Sequence, residues 1–142
     1  MSRDSATRHT TSIPIDGEAS IVTARGHARD LARQLGFGAV DQSRIATAVS
    51  ELARNVVRYA TDGRGEAIIG PVEGVAGRPG IEVVVRDDGP GIADLRRALQ
   101  EGYTSGKGLG LGLSGTKRLM DEMVIDSEAG RGTTVTIRKW VR

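Results

Sequence analysis

An α+β domain is predicted by three observations along the chain. Two stretches of helical apolar spacing come first, two pairs of apolar strands follow, and a glycine-rich segment with a helical pattern on either side separates those pairs. At 142 residues the chain is long enough to bury one core without staples. Residues 1–11 are rich in Ser, Thr and Arg and carry no periodicity, so they are expected to form a flexible tail ahead of a single domain over residues 12–142.

Each element has its own signal. Thr11-Ser12-Ile13-Pro14-Ile15 reads as an edge strand, where a proline is tolerated. Ile21, Ala24, Ala28, Leu31 and Leu35 recur at three and four residues, predicting a helix capped by Asp16 or Ser20 and stopped by Gly36. Asp41 is the expected N-cap of a second helix reaching about Ala60, with Ile45, Val49, Leu52, Val56 and Tyr59 as its core stripe. Strands are predicted at Glu66–Val72 and Ile81–Asp87, joined by a loop over 73–80. A short helix from Asp94 to about Glu101 leads into a glycine loop over 102–112. A third long helix is expected from Ser114 to about Asp121, and strands at Val124–Asp126 and Thr133–Val141 close the domain.

Composition removes several function classes. The chain has no cysteine, so disulfides and thiolate metal sites are excluded. Its net charge of +2 arises from 20 basic against 18 acidic residues, and aromatics make up 3%. Neither a basic stripe nor a set of base-stacking platforms is available, so no nucleic-acid partner is expected. Nothing approaches 18 consecutive apolar residues, which argues against a membrane span or a secretion signal and makes a cytoplasmic protein the expectation. Glycine is abundant, at 20 residues, and concentrates between 63 and 115.

Four clusters carry the chemistry. Glu51 and Asn55 lie one turn apart on one flank of the second helix's core stripe, at its edge. Alone they fit a solvated helical pair, with Glu51 also facing Arg54 or Arg58. Together they offer a proton acceptor and an amide oxygen for a hard cation, and Mg²⁺ is held through few protein ligands plus phosphate oxygens. Asp87 continues the inward row of Ile81, Val83 and Val85, so its carboxylate needs a donor. An adenine amine suits it, and Gly89 and Gly91 let backbone pass beside a base.

Gly106-Lys107-Gly108-Leu109-Gly110-Leu111-Gly112 precedes a helix whose free backbone N–H groups favour phosphate, and Lys107 adds a cation. It is not a Walker A loop: Gly102 to Gly106 is one residue short, and Gly108 stands where Ser or Thr is required. Thr133 and Thr134 read as ordinary strand residues unless their strand lies beside Asp87. His9, His27 and Trp140 are assigned no site role; Lys117 and Arg118 are expected at the surface.

The order Glu51…Asn55, Asp87-x-Gly89-x-Gly91, Gly108-x-Gly110-x-Gly112 and Gly132-Thr133-Thr134 resembles the N box and three glycine boxes of the GHKL ATPase/kinase superfamily. Within it the chain is most similar to the RsbT-type serine/threonine kinases of bacterial partner-switching pathways. Leu35 to Gln42, Ser50 to Asn55, Arg118 to Glu122, Ile125-Asp126-Ser127, Gly132-Thr133-Thr134 and Lys139-Trp140 carry that likeness. It implies a two-layer α/β sandwich with a mixed sheet backed by helices, binding ATP under a lid at 102–112. By position, Asn55 would coordinate Mg²⁺, Glu51 would be the general base, Asp87 would bind the adenine amine, Gly89 and Gly91 would line the base, and Thr133 would support Asp87.

The resemblance also implies partners. Gyrase- and MutL-like members need transducer domains for which this chain has no room, and histidine kinases need a phosphoacceptor His in a dimerisation helix. A free-standing domain with a base must receive its hydroxyl from another protein. The expected substrates are STAS-domain antagonist or scaffold proteins of a stressosome-like complex, and the expected second partner is the regulatory domain of a PP2C-type phosphatase. Two rivals remain: an anti-sigma factor kinase of the SpoIIAB/RsbW kind, which binds a sigma factor, and a non-catalytic module holding ATP as a structural ligand.

Overall fold

The computed structural model describes residues 9–89, 112–128 and 130–142. Over these it contains β1 (Thr11–Ile15), α1 (Glu18–Leu35), α2 (Ala39–Tyr59), β2 (Gly65–Glu73), β3 (Pro79–Asp87), α3 (Leu113–Leu119), β4 (Glu122–Glu128) and β5 (Gly132–Trp140). The five strands form one sheet in the order β1-β2-β3-β5-β4, covered on one face by the helices. The predicted α+β class and two-layer arrangement hold. No described helix is long and apolar enough to cross a membrane.

Every neighbouring pair is antiparallel, which corrects the expected mixed sheet. The reason is topological. β3 and β4 run in the same direction but never meet, because the chain turns back after β4 and β5 inserts between them. Residue by residue, Val83 then faces Ile137 and Asp87 faces Thr133 across the β3–β5 pair.

α1 buries the predicted stripe, with Ile21, Ala24, Ala28, Leu31 and Leu35 all in the core. The recurrent alanines at 24, 28 and 32 let α2 approach closely, where Ala46, Ala48 and Ala53 are equally buried. Ser20 secures the N-terminus from inside the first turn. Its hydroxyl accepts from the backbone N–H of Asp16 (2.9 Å) and Gly17 (3.1 Å) and donates to the Gly17 carbonyl. Gly36 ends the helix in the left-handed conformation, with the N–H of Phe37 returning to the Ala32 carbonyl.

The cap of α2 lies three residues before the expected one. Gly38 is its N-cap and Asp41 lies in the first turn, where its carboxylate faces Arg44 (3.1 Å) and Lys139 (3.8 Å) instead of capping backbone amides. Ile45, Val49, Leu52 and Val56 are buried as predicted, whereas Tyr59 is half-buried.

α3 has seven residues, shorter than the predicted Ser114–Asp121. Two bonds end it. The buried Lys139 ammonium donates to the Leu119 carbonyl (2.9 Å), and the Asp121 N–H donates to the Arg138 carbonyl (3.0 Å), drawing the chain into β4. Lys139 thereby ties the end of β5 to the far end of α3 and, through Asp41, to the first turn of α2. Trp140 lies on the opposite face of the sheet over Gly74 and Gly80, its indole N–H donating to Glu122 (3.0 Å). The short helix predicted at Asp94–Glu101 lies outside the described residues.

Candidate functional site

The middle and C-terminal turns of α2 are flanked by the end of β3 on one side and the start of α3 on the other. Glu51 and Asn55 both sit half-buried on α2 beside the buried Leu52 and Val56, the edge position their helical phase predicts. Gly65, paired with Asp87 across β2 and β3, marks how closely helix and sheet meet here. A Cβ at Gly65 would lie 2.9 Å from Val56 Cγ1 and 3.2 Å from Asp87 Cβ. The turn carrying Asn55 and Val56 therefore rests on the strand end carrying Asp87.

Asp87 is half-buried, at the end of the row formed by the fully buried Ile81, Val83 and Val85. Its carboxylate accepts from the Gly89 N–H at 2.7 Å and from the backbone amide of Thr133. Burial pushes its pKa above the ordinary carboxylate range. The Gly89 bond works against that shift, the charge of Asp88 adds to it, and the Thr133 amide again opposes it. Two amides thus leave the carboxylate short of the stabilisation that water would give. A further donor would supply it, and an aminopurine edge has one.

Thr133 supports Asp87 through its main chain. Its hydroxyl pairs with Ser127 Oγ at 2.8 Å, and Ser127 also reaches the Gly132 carbonyl (3.1 Å). Ser127 received no site role from the sequence, since only the β4–β5 register brings it opposite Thr133. Gly89 packs where a Cβ would stand 2.8 Å from Ala60 Cα and 2.8 Å from Asp87 Oδ1, so the end of α2 alone demands a glycine there. Gly132 has a positive φ of 85°, and a Cβ on it would come 2.2 Å from the Asp87 carbonyl oxygen. Gly132→Ala is expected to lower stability by about 2 kcal/mol from backbone strain and this collision. Chemical denaturation of the variant measures it, and an unchanged midpoint would contradict the contact.

On the other flank, Gly112 takes a left-handed conformation (φ 67°) as the N-cap of α3. A Cβ there would lie 2.9 Å from Glu51 Oε2, so the carboxylate packs directly against the glycine backbone. Its other oxygen stands 3.6 Å from Arg54 Nη1, the partner that helical spacing offered alongside Arg58. The structure thus brings Glu51 to Gly112, and Asp87 to Gly89 and Thr133. Gly91, Lys107, Gly108 and Gly110 lie outside the described residues. Lys117 and Arg118 are exposed on α3.

Among the described residues no group of three or more His, Cys, Asp or Glu side chains could hold a metal ion. The donor set fits a cation bound through one amide oxygen, Asn55, with phosphate oxygens completing the shell.

A family model described as histidine kinase-like ATPase domain matches residues 15–139. The chain belongs to that family. It is 50% identical over 127 residues to the serine/threonine-protein kinase RsbT of Bacillus subtilis (strain 168), covering 88% of this chain and 92% of that one. It is 35% identical over 104 residues to the anti-sigma F factor of Geobacillus thermodenitrificans (strain NG80-2), covering 68% of each. Within the histidine kinase-like ATPases the chain stands in the serine/threonine-protein kinase branch. The fold alone is shared with a solved chain holding the RsbU and RsbW domains of Rv1364c from Mycobacterium tuberculosis (TM-score 0.59, 24% identity). That match covers 94% of this chain and 33% of the solved one.

Proposed function

We propose that this protein transfers the γ-phosphoryl group of ATP to a serine or threonine of a partner protein in a bacterial partner-switching pathway of the cytoplasm. The observation that carries the reading is the half-buried Asp87 carboxylate, raised by burial and held at a strand end against the turn of α2 that bears Asn55. Asp87 takes the adenine amine as its missing donor. Gly89 keeps the backbone low at the α2 end and lines the base together with Gly91, while Lys107, Gly108 and Gly110 serve phosphate. Asn55 holds Mg²⁺, which when bound neutralises charge on the phosphates. Glu51, packed on Gly112, accepts the proton of the incoming hydroxyl, so that catalysis is positioning plus proton removal.

The partners follow from the same reading. STAS-domain antagonist or scaffold proteins present the acceptor hydroxyl, and the phosphate added at that interface breaks the complex by charge and desolvation. The released kinase then binds the regulatory domain of a PP2C-type phosphatase. The 50% identity to RsbT across nearly both whole chains supports this pairing over sigma-factor capture. Likeness to anti-sigma F factors over 68% of the chain keeps a sigma factor as the second reading. Incubating the protein with γ-labelled ATP, Mg²⁺ and STAS-domain proteins encoded nearby tests the activity; labelled STAS protein is expected, and none would overturn it. Pull-down with a sigma factor against a phosphatase regulatory domain separates the partners, stable sigma capture favouring the second reading.

Asn55→Ala is expected to remove the Mg²⁺ dependence of ATP binding. Calorimetric titrations with and without the metal check this; a metal requirement that survives the substitution points to a different ligand.

A further inference from the structure

We propose that the solvent-facing seam between α2 and α3 is where the acceptor protein docks, seating an aliphatic side chain flanked by acidic residues. This rests on the reading of Glu51 as the group that takes the acceptor's proton, and it names the surface that brings the hydroxyl there. The seam is a groove of about 390 Å³, lined by Ala39, Val40, Ser43, Arg44 and Thr47 of α2 and by Leu119 of α3.

Both walls of the groove lead to the candidate site. On α2, Val40, Arg44, Thr47, Glu51 and Asn55 recur at four, three, four and four residues, so they form one row along the helix. α3 lies back along that row, with its N-cap Gly112 packed on Glu51 and Leu119 facing the first turns of α2. Gly115, one turn before Leu119 on the same side, puts no side chain in the way: a Cβ on it would meet nothing within 4 Å. At 1.5 Å per residue, Thr47 stands about 6 Å and Val40 about 16 Å from Glu51 along the helix. A standard interface takes about 800 Å² from each partner, roughly a disc of 16 Å radius. A protein whose hydroxyl reaches Glu51 therefore covers the groove as well.

Chemistry selects what the groove takes. Val40 is 64% exposed, one of the few exposed large aliphatic side chains among the described residues, and Leu119 is half-buried against the core. Covering both with another aliphatic side chain removes apolar surface from water. The polar lining is two hydroxyls and a guanidinium already paired with Asp41 at 3.1 Å, a sparse set for holding a small ligand. Charge sets the sign of the partner's rim. Lys117 and Arg118 are exposed on α3 just before Leu119. The nearby acids are already held, Asp41 by Arg44 and Lys139, and Asp121 by Lys139 and Arg142. Carboxylates beside the acceptor's aliphatic anchor complement that basic rim.

The test is calorimetric affinity for the STAS-domain proteins encoded nearby, with the kinase saturated with Mg²⁺ and a non-hydrolysable ATP analogue. Val40→Asp removes the apolar contact and adds a repelling charge in the first turn of α2, where the helix tolerates an acid. It is expected to weaken acceptor binding by about tenfold, the scale of one buried aliphatic contact, with analogue affinity and thermal transition unchanged. Val40→Lys, which loses the apolar contact alone, should weaken it less. In phosphoryl transfer the Val40→Asp loss should appear as a raised KM for the acceptor at parental kcat. Parental affinity in both variants overturns the proposal, as does a parent that binds none of these proteins. A fall in analogue affinity would give the groove to the nucleotide site, and a loss confined to the phosphatase regulatory domain would give it to the second partner; either result overturns the proposal too. Failure of the underlying reading looks different: Val40→Asp would still weaken acceptor binding, while neither parent nor variant transferred phosphate.

Discussion

Glu51→Gln is expected to bind ATP with parental affinity and to lose phosphoryl transfer by about 10²- to 10⁴-fold, the usual contribution of a positioned proton acceptor. The substitution is nearly isosteric. Gly112 approaches Glu51 Oε2 so closely that a single added carbon would lie 2.9 Å away, and an amide nitrogen occupies almost the same space as the oxygen it replaces. Packing at the start of α3 is therefore preserved while the ability to take a proton is removed. Single-turnover transfer from γ-labelled ATP, set beside calorimetric ATP affinity, separates the two roles. Normal transfer refutes the base assignment. Joint loss of binding and transfer would make Glu51 a nucleotide ligand instead.

The parts of the site visible in the sequence are those governed by local periodicity. The 3.6-residue repeat of Ile45, Val49, Leu52 and Val56 fixed the flank on which Glu51 and Asn55 stand, and strand alternation placed Asp87 at the end of an inward row. Properties decided by pairing between distant segments were not visible. That β5 separates β3 from β4 depends on which strand edge is free when the closing hairpin arrives, and no local pattern records it. Without that register, Thr133 reads as an ordinary strand residue. With it, the backbone amide reaches Asp87, and the hydroxyl belongs to Ser127.

Helix ends failed for a related reason. Asp41 has the chemistry of an N-cap, yet its carboxylate meets Arg44 at 3.1 Å and Lys139, 98 positions later in the chain, at 3.8 Å. The same ammonium takes the Leu119 carbonyl and shortens α3. A buried cation recruited from the last strand ends one helix and reaches the first turn of another, which propensity cannot anticipate. The contact between Gly112 and Glu51 is equally non-local, joining a helix start to a side chain 61 residues earlier.

Asp87→Asn is expected to weaken ATP binding by about 10- to 100-fold, through loss of about 1.5–3 kcal/mol of charge-assisted hydrogen bonding to the adenine amine. The nucleotide-free variant should nevertheless melt at a higher temperature than the parent near neutral pH. Burial raises the pKa of Asp87 in the folded state above its unfolded value. A group shifted in that direction contributes stability that is full below the unfolded pKa and is lost as pH rises through the folded one. At neutral pH the parent therefore carries a partly desolvated charge that asparagine does not, while the amide oxygen can still accept from Gly89 or Thr133. The advantage of the variant should shrink as acid protonates Asp87 in the parent. Parental ATP affinity should fall over that same acidic window, because the protonated carboxyl no longer offers a charged acceptor, and the variant's affinity should stay flat there. Thermal denaturation and calorimetry across a pH series read both effects. Unchanged ATP affinity in the variant would remove Asp87 from the purine pocket, and a lower melting temperature would mean that its bonds to Gly89 and Thr133 outweigh the desolvation it suffers.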